Sequence, residues 1–155
     1  MDSTTSPMDP QAIAEHVRTG MLANDRATQG LGIAITAIAP GRATLEMTVR
    51  ADMLNGFDIC HGGFITTLAD SAFAFSCNAR NDMTVASGLS IDFLAPARES
   101  DRLTAVATEV SLAGRTGVYD VNVHNQRGEA IAVFRGRSYC MKGKPTVPLA
   151  DAAGC

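Results

Sequence analysis

The chain has no tryptophan, only two tyrosines, and charged residues at 19% of its 155 positions. With a net charge of −3 and no basic stripe interleaved with aromatic rings, nothing in it marks a nucleic-acid binder. The four cysteines, Cys60, Cys77, Cys140 and Cys155, form no CxxC pair and no tight spacing, which argues for reduced thiols over a disulfide framework. Cys60-His61 lacks a second ligand pair at a zinc-like spacing, so no metal centre is expected, and no cofactor. No apolar run is long enough to span a bilayer, and the opening MDSTTSPMDPQ has none of the apolar stretch of a signal peptide. The expectation is a cytoplasmic protein without a nucleic-acid or membrane partner.

What remains is a 46% hydrophobic chain of one-domain size. Residues 1–8 read as a disordered tail, 9–141 as a single domain and 142–155 as a C-terminal tail. Asp9-Pro10 offers an N-cap followed by proline at the first helical position, and Ile13, Val17, Met21 and Leu22 continue a helical stripe that fades at Asn24-Asp25. LGIAITAIA (31–39) is β-rich and stops at Pro40-Gly41. RATLEMTVR then alternates, with Leu45, Met47 and Val49 on one face, as the second arm of a hairpin. Four further strand-like segments, about 84–95, 102–113, 116–125 and 129–140, follow a long helix. Periodicity therefore predicts an α+β fold: an antiparallel sheet around one buried helix.

That helix, HGGFITTLADSAFAFSCNA (61–79), is apolar on nearly every side and about 28 Å long. A carboxylate, Asp70, stands in its middle, where an unpaired charge is costly to bury. Residues seven apart share a face to within about 20°, so Gly63, Asp70 and Cys77 align, flanked by Thr66, Thr67 and Ala74. This face of small residues admits another backbone. At the helix start, His61-Gly62-Gly63 leaves free N–H groups at the positive end of the macrodipole, with no Cβ at either glycine to keep an oxyanion away. Gly62 and Asp70 are eight residues apart, about 12 Å along one helix. Reacting groups must come within about 3 Å of the same carbonyl, so these two can cooperate only across a two-fold axis, between antiparallel helices of two subunits.

The segments MLNGFDICHGGFITTLADSAFAFSCN, ASGLSIDFLAP, GRTGVYDV and FRGRS resemble the PaaI-type hot-dog thioesterases of phenylacetate degradation over about residues 20–140. The resemblance implies a hot-dog fold, a sheet wrapped around one long central helix. It also implies hydrolysis of acyl-CoA thioesters, phenylacetyl-CoA or ring-hydroxylated relatives, by a homotetramer built as a dimer of dimers with sites at the dimer interface. By the resemblance, Asp70 is the catalytic carboxylate, Gly62 the amide that polarises the carbonyl, and His61 and Asn24 the polar groups beside the reaction centre. Asn55 and Ser90 match positions that line the pocket.

Arg115, Arg135 and Arg137 are candidates for the coenzyme A phosphates, with Thr116 in the same stretch and Gly114, Gly117 and Gly136 permitting close approach. A solvated face is the competing reading for these arginines. Phe64, Phe73 and Phe75 read as core. Two rival functions stay open: a hot-dog enoyl-CoA hydratase or dehydratase using His61 with Asp70, and a non-catalytic acyl-CoA binding protein.

Overall fold

The computed structural model describes residues 7–149. The expected tail at 1–8 and the residues from 150 onward, Cys155 among them, therefore lie largely outside the described residues. Helix α1 (Pro10–Asn24) starts where proline and cap place it: the Asp9 carboxylate accepts from the Ala12 N–H at 3.2 Å, and Ala14 and Val17 are buried. A one-turn helix, α2 (Arg26–Gly30), follows at once. Gly32, at φ 66°, turns the chain into the hairpin β1 (Ala34–Ala39) and β2 (Arg42–Thr48), so the first strand begins later than residue 31. A 3-10 turn, Ala51–Met53, leads to helix α3 (Gly62–Asn78).

Strands β3 (Asp82–Phe93), β4 (Arg102–Ala113), β5 (Thr116–His124) and β6 (Ala130–Pro145) complete one antiparallel sheet in the order β1-β2-β4-β5-β6-β3. All six strands contact α3, the hot-dog architecture. The core lies between: Phe73 stacks at 5.5 Å on Tyr119 and 5.9 Å on Phe134, with Leu68 and Phe75 fully buried beside it. Phe64, by contrast, is only half-buried.

The expected boundary at 141 is overtaken by β6, which pairs as far as Pro145 with Asp82. Beyond it the chain is clamped rather than loose. Asn81, at φ 66°, donates to the Val147 carbonyl at 2.9 Å and accepts the Val147 N–H at 2.8 Å, and the Thr146 hydroxyl donates to Asn78 Oδ1 at 2.8 Å. The helix is not buried all round either. Gly63 is exposed and Thr66, Thr67, Asp70, Ser71 and Ala74 are half-buried, because the sheet covers the other side. Among the described residues no helix is long and apolar enough to cross a membrane.

Candidate active site

The HGG run is fastened before the helix begins. His61 N–H donates to the Met53 carbonyl at 2.8 Å, Cys60 N–H to Ala97 at 2.7 Å, and Leu54 bridges Cys60. His61 then caps α3: its Nδ1 accepts the Gly63 N–H at 3.0 Å, while its carbonyl takes the Phe64 N–H at 3.0 Å. An accepting Nδ1 leaves the ring proton on Nε2. The Gly62 amide has no acceptor among the described residues. It is the orphan donor of the first turn, at the positive end of the helix dipole. A Cβ at Gly62 would meet Phe93 Cζ at 2.7 Å, so glycine is what lets that ring lie against the helix start.

Asn55 stands beside this amide. It lines a pocket of about 510 Å³ with Gly62, Ile65 and Phe93. Its Oδ1 accepts the Phe57 N–H at 2.9 Å and its carbonyl the Asp58 N–H at 3.1 Å, a tight turn that Asp58 closes at φ 58°. With Oδ1 engaged, the Nδ2 group is the part of the amide left to donate.

Two turns along α3, Asp70 is half-buried, and no hydrogen bond or ion pair reaches its carboxylate among the described residues. Burial alone pushes its pKa above the usual carboxylate value. Cys77, one heptad on, is buried with its thiol pushed up to about 12, chiefly by desolvation, and Cys60 to about 11 by the same cause. Neither thiol is a nucleophile at neutral pH.

Within one chain, the other residues singled out in the sequence lie elsewhere than these. Asn24 is exposed at the end of α1 and lines a cleft with Gly20, Asp25 and Thr146–Pro148, a different one from those that His61 and Gly62 line. Ser90 is turned away from the helix. A bulge between Ala86 and Gly88 sets the register so that Ile91 pairs with the buried Phe134, while Ser90 pairs with the exposed Arg135 on the outer face. Arg135 is held in turn by Asp120 through two hydrogen bonds of 2.7 and 2.8 Å, so its guanidinium already has an anionic partner.

Gly117 and Gly136 face inward. A Cβ at Gly117 would meet Ser138 Oγ at 2.5 Å, and one at Gly136 the Phe73 ring at 2.9 Å. At Gly117 the missing side chain leaves room for Ser138 and Tyr119 within the sheet, and at Gly136 for Phe73 of the helix, so neither is left open for a phosphate. Arg115 and Thr116 are exposed in the β4–β5 turn, the Thr116 hydroxyl donating to the Ala113 carbonyl at 3.1 Å. Arg137 lies over Gly88 on the edge strand, where a Cβ would come within 2.7 Å of its Nη2.

Sequence reasoning missed α2 and its anchors. Asp25 caps it with both oxygens, accepting the Thr28 N–H at 2.9 Å and the Thr28 hydroxyl at 2.7 Å. The buried Thr28 Oγ1 also lies 3.2 Å from Ser71 Oγ on α3. The spacing Asp25-x-x-Thr28 is a cap signal present in the sequence, but one turn is too short to show periodicity. Phe93 was also missed, since an aromatic in a strand reads as core.

Residues 57–132 match the thioesterase superfamily. The chain is 44% identical over 126 residues to the acyl-coenzyme A thioesterase PaaI of Escherichia coli strain K12, spanning 81% of this chain and 90% of the relative. It belongs to the PaaI-type hot-dog thioesterases. The solved structure of the E. coli PaaI protein from the phenylacetic acid degradation operon superposes with a TM-score of 0.86 at 41% identity, covering 88% of this chain and 99% of that one. A mutant of the phenylacetic acid degradation protein PaaI from Thermus thermophilus superposes at 0.72 with 38% identity, over 74% and 98% of the two chains. As a PaaI-type thioesterase the chain is an enzyme, a thioester hydrolase.

Proposed function

We propose that this thioesterase hydrolyses acyl-CoA thioesters, aryl-acetyl-CoA in particular, at two equivalent sites formed between antiparallel α3 helices of a symmetric dimer. One observation carries the reading: a half-buried, unpartnered carboxylate and an unengaged helix-start amide sit on one helix, eight residues apart, on or beside a face the sheet leaves uncovered. That separation is about 12 Å, too far for one helix to serve a single carbonyl and suited to two.

The edge of the sheet supports the same assembly. β3 is an outermost strand of 12 residues, with Val85, Leu89 and Phe93 at 47%, 39% and 52% exposure. A long apolar edge with unpaired N–H and C=O groups is a template for another strand, and a two-fold copy of β3 would extend the sheet and lay the helices side by side. A dimer of such dimers is the homotetramer that the resemblance implies.

In this arrangement the thioester oxygen accepts from the Gly62 amide, where negative charge develops during attack. Asp70 of the partner subunit takes the proton of an attacking water, or attacks the carbonyl carbon itself. Collapse of the tetrahedral adduct expels the CoA thiolate, giving the free acid directly when water attacks, or an Asp70 acyl anhydride that a water then hydrolyses to the acid and the restored carboxylate. His61 Nε2–H and Asn55 Nδ2 are the additional donors beside that oxygen. The name of the E. coli relative, an acyl-coenzyme A thioesterase, supports the substrate class.

The experiment is thiol release from aryl-acetyl, benzoyl and straight-chain acyl-CoAs by wild type and Asp70→Ala, with sedimentation of both. An even-numbered oligomer and a fall of at least about a hundredfold in the variant are expected. Rates within threefold of each other, or an active monomer, would remove the reading. Hydration of an enoyl-CoA without thiol release would favour the hydratase alternative, and binding without turnover the carrier.

A further inference from the structure

Resting on the thioesterase reading, we infer that the groove between α2 and the first two turns of α3 is the seat of the acyl group, and that Ala27 and Leu31 decide which acyl groups fit. The groove, of about 690 Å³, is lined by Arg26, Ala27, Gly30, Leu31, His61, Gly63, Phe64 and Thr67. That volume lies in the range of small-molecule sites, roughly 300–1,000 Å³.

Its wall carries few polar groups. Thr67 spends its hydroxyl on the Gly63 carbonyl at 2.9 Å and is left with its methyl to offer. Ala27, Leu31 and Phe64 are apolar, and Gly30 and Gly63 add no side chain. His61, at the helix start, has its Nδ1 committed to the Gly63 amide, so its remaining ring nitrogen is a donor. Among the described residues no carboxylate lines the groove, and its one cation is Arg26. An apolar body with an acceptor oxygen beside His61 is the chemistry of an acyl thioester. The neighbouring pocket at Gly62 is also apolar over most of its wall, with Ile59, Ile65 and Leu94 around the Asn55 amide, but the Phe93 ring lies across its Gly62 side.

The wall that forms the groove is held firmly. Thr28 gives its hydroxyl proton to Asp25, so Ser71 is the donor in the 3.2 Å contact that joins α2 to α3. At the other end Arg50 donates to the Gly30 carbonyl at 3.0 Å. A one-turn helix pinned at both ends presents Ala27 and Leu31 at fixed depth, as a specificity wall requires.

The test uses full-length protein and compares kcat/KM for phenylacetyl-CoA with that for acetyl-CoA. Ala27 is exposed on its helix, so Ala27→Phe is tolerated by the fold while filling the groove. It is expected to lower the phenylacetyl-to-acetyl ratio about tenfold or more, the scale on which hydrophobic pockets discriminate. Leu31→Ala, which deepens the same wall, is expected to raise the ratio of a longer straight-chain acyl-CoA to phenylacetyl-CoA at least threefold, with the melting temperature read alongside. A change below threefold in both ratios, with both variants folded, would overturn the assignment and move the acyl group to the Phe93 side. Absence of thiol release by the wild type on every substrate would instead overturn the hydrolase reading, and this inference with it.

Discussion

The Nδ1 atom of His61 accepts the Gly63 amide proton at 3.0 Å, so one side chain both caps the central helix and aims its second nitrogen away from it. The two duties can be separated. His61→Ala removes cap and donor together and is expected to cost about 1 kcal/mol of stability as well as activity. His61→Asn supplies a cap acceptor without an imidazole N–H. It is expected to keep the wild-type melting temperature within about 2 °C while lowering kcat/KM. Thermal melts and thiol-release kinetics on the two variants check this.

Asp70 carries a pH signature whose sign follows from its surroundings. Burial raises its native pKa above the reference 3.8, so between the two values the native state binds more protons than the unfolded one. Stability then falls as pH rises from the unfolded pKa through the native one, and the loss is complete above both. Asp70→Asn removes that loss. The variant is expected to melt above wild type at pH 7, with the difference shrinking toward pH 3, while its activity collapses. The acid limb of kcat/KM in wild type is expected to lie above pH 3.8, since the deprotonated form does the chemistry. Melting curves across pH and a pH–rate profile measure both.

Gly136 is required by Phe73. A methyl group there would come within 2.9 Å of three ring atoms in the middle of the core. Gly136→Ala is expected to destabilise the fold by about 1–3 kcal/mol through overpacking, with KM for acyl-CoA unchanged in the folded fraction. Denaturant unfolding reads the stability. A large KM effect with unchanged stability would instead mark Gly136 as a ligand contact.

Arg135 is engaged by Asp120, which holds that carboxyl below its ordinary range through the hydrogen bonds between them. Arg135→Ala is therefore expected to leave KM for acyl-CoA within twofold of wild type. A tenfold rise, measured at fixed ionic strength, would restore the guanidinium as a phosphate ligand.

The elements that could be read from the chain are those with a local cause. Asp9-Pro10 starts α1 because cap and ring act within one turn, and the alternation of Leu45, Met47 and Val49 yields the buried face of β2. HGG and Asp70 were legible because a helix imposes a fixed rise and rotation on every residue it contains. Asn55 was named by resemblance alone, and the pocket it lines with Gly62 is a fact of the fold.

Other assignments needed the chain in three dimensions. The amino-acid order by itself determined a helix–β–β–helix–four-strand arrangement, a glycine-opened central helix and a carboxylate in an apolar stretch, since all of these follow from short-range sterics and hydrophobic period. Only tertiary structure decided that Ser90 turns outward, that Asp120 takes Arg135, that Gly117 and Gly136 face the core, and that α2 roofs a groove beside His61. A one-residue bulge reverses the facing of every later side chain on a strand, and a partner distant in sequence is chosen by strand register, which no local window contains.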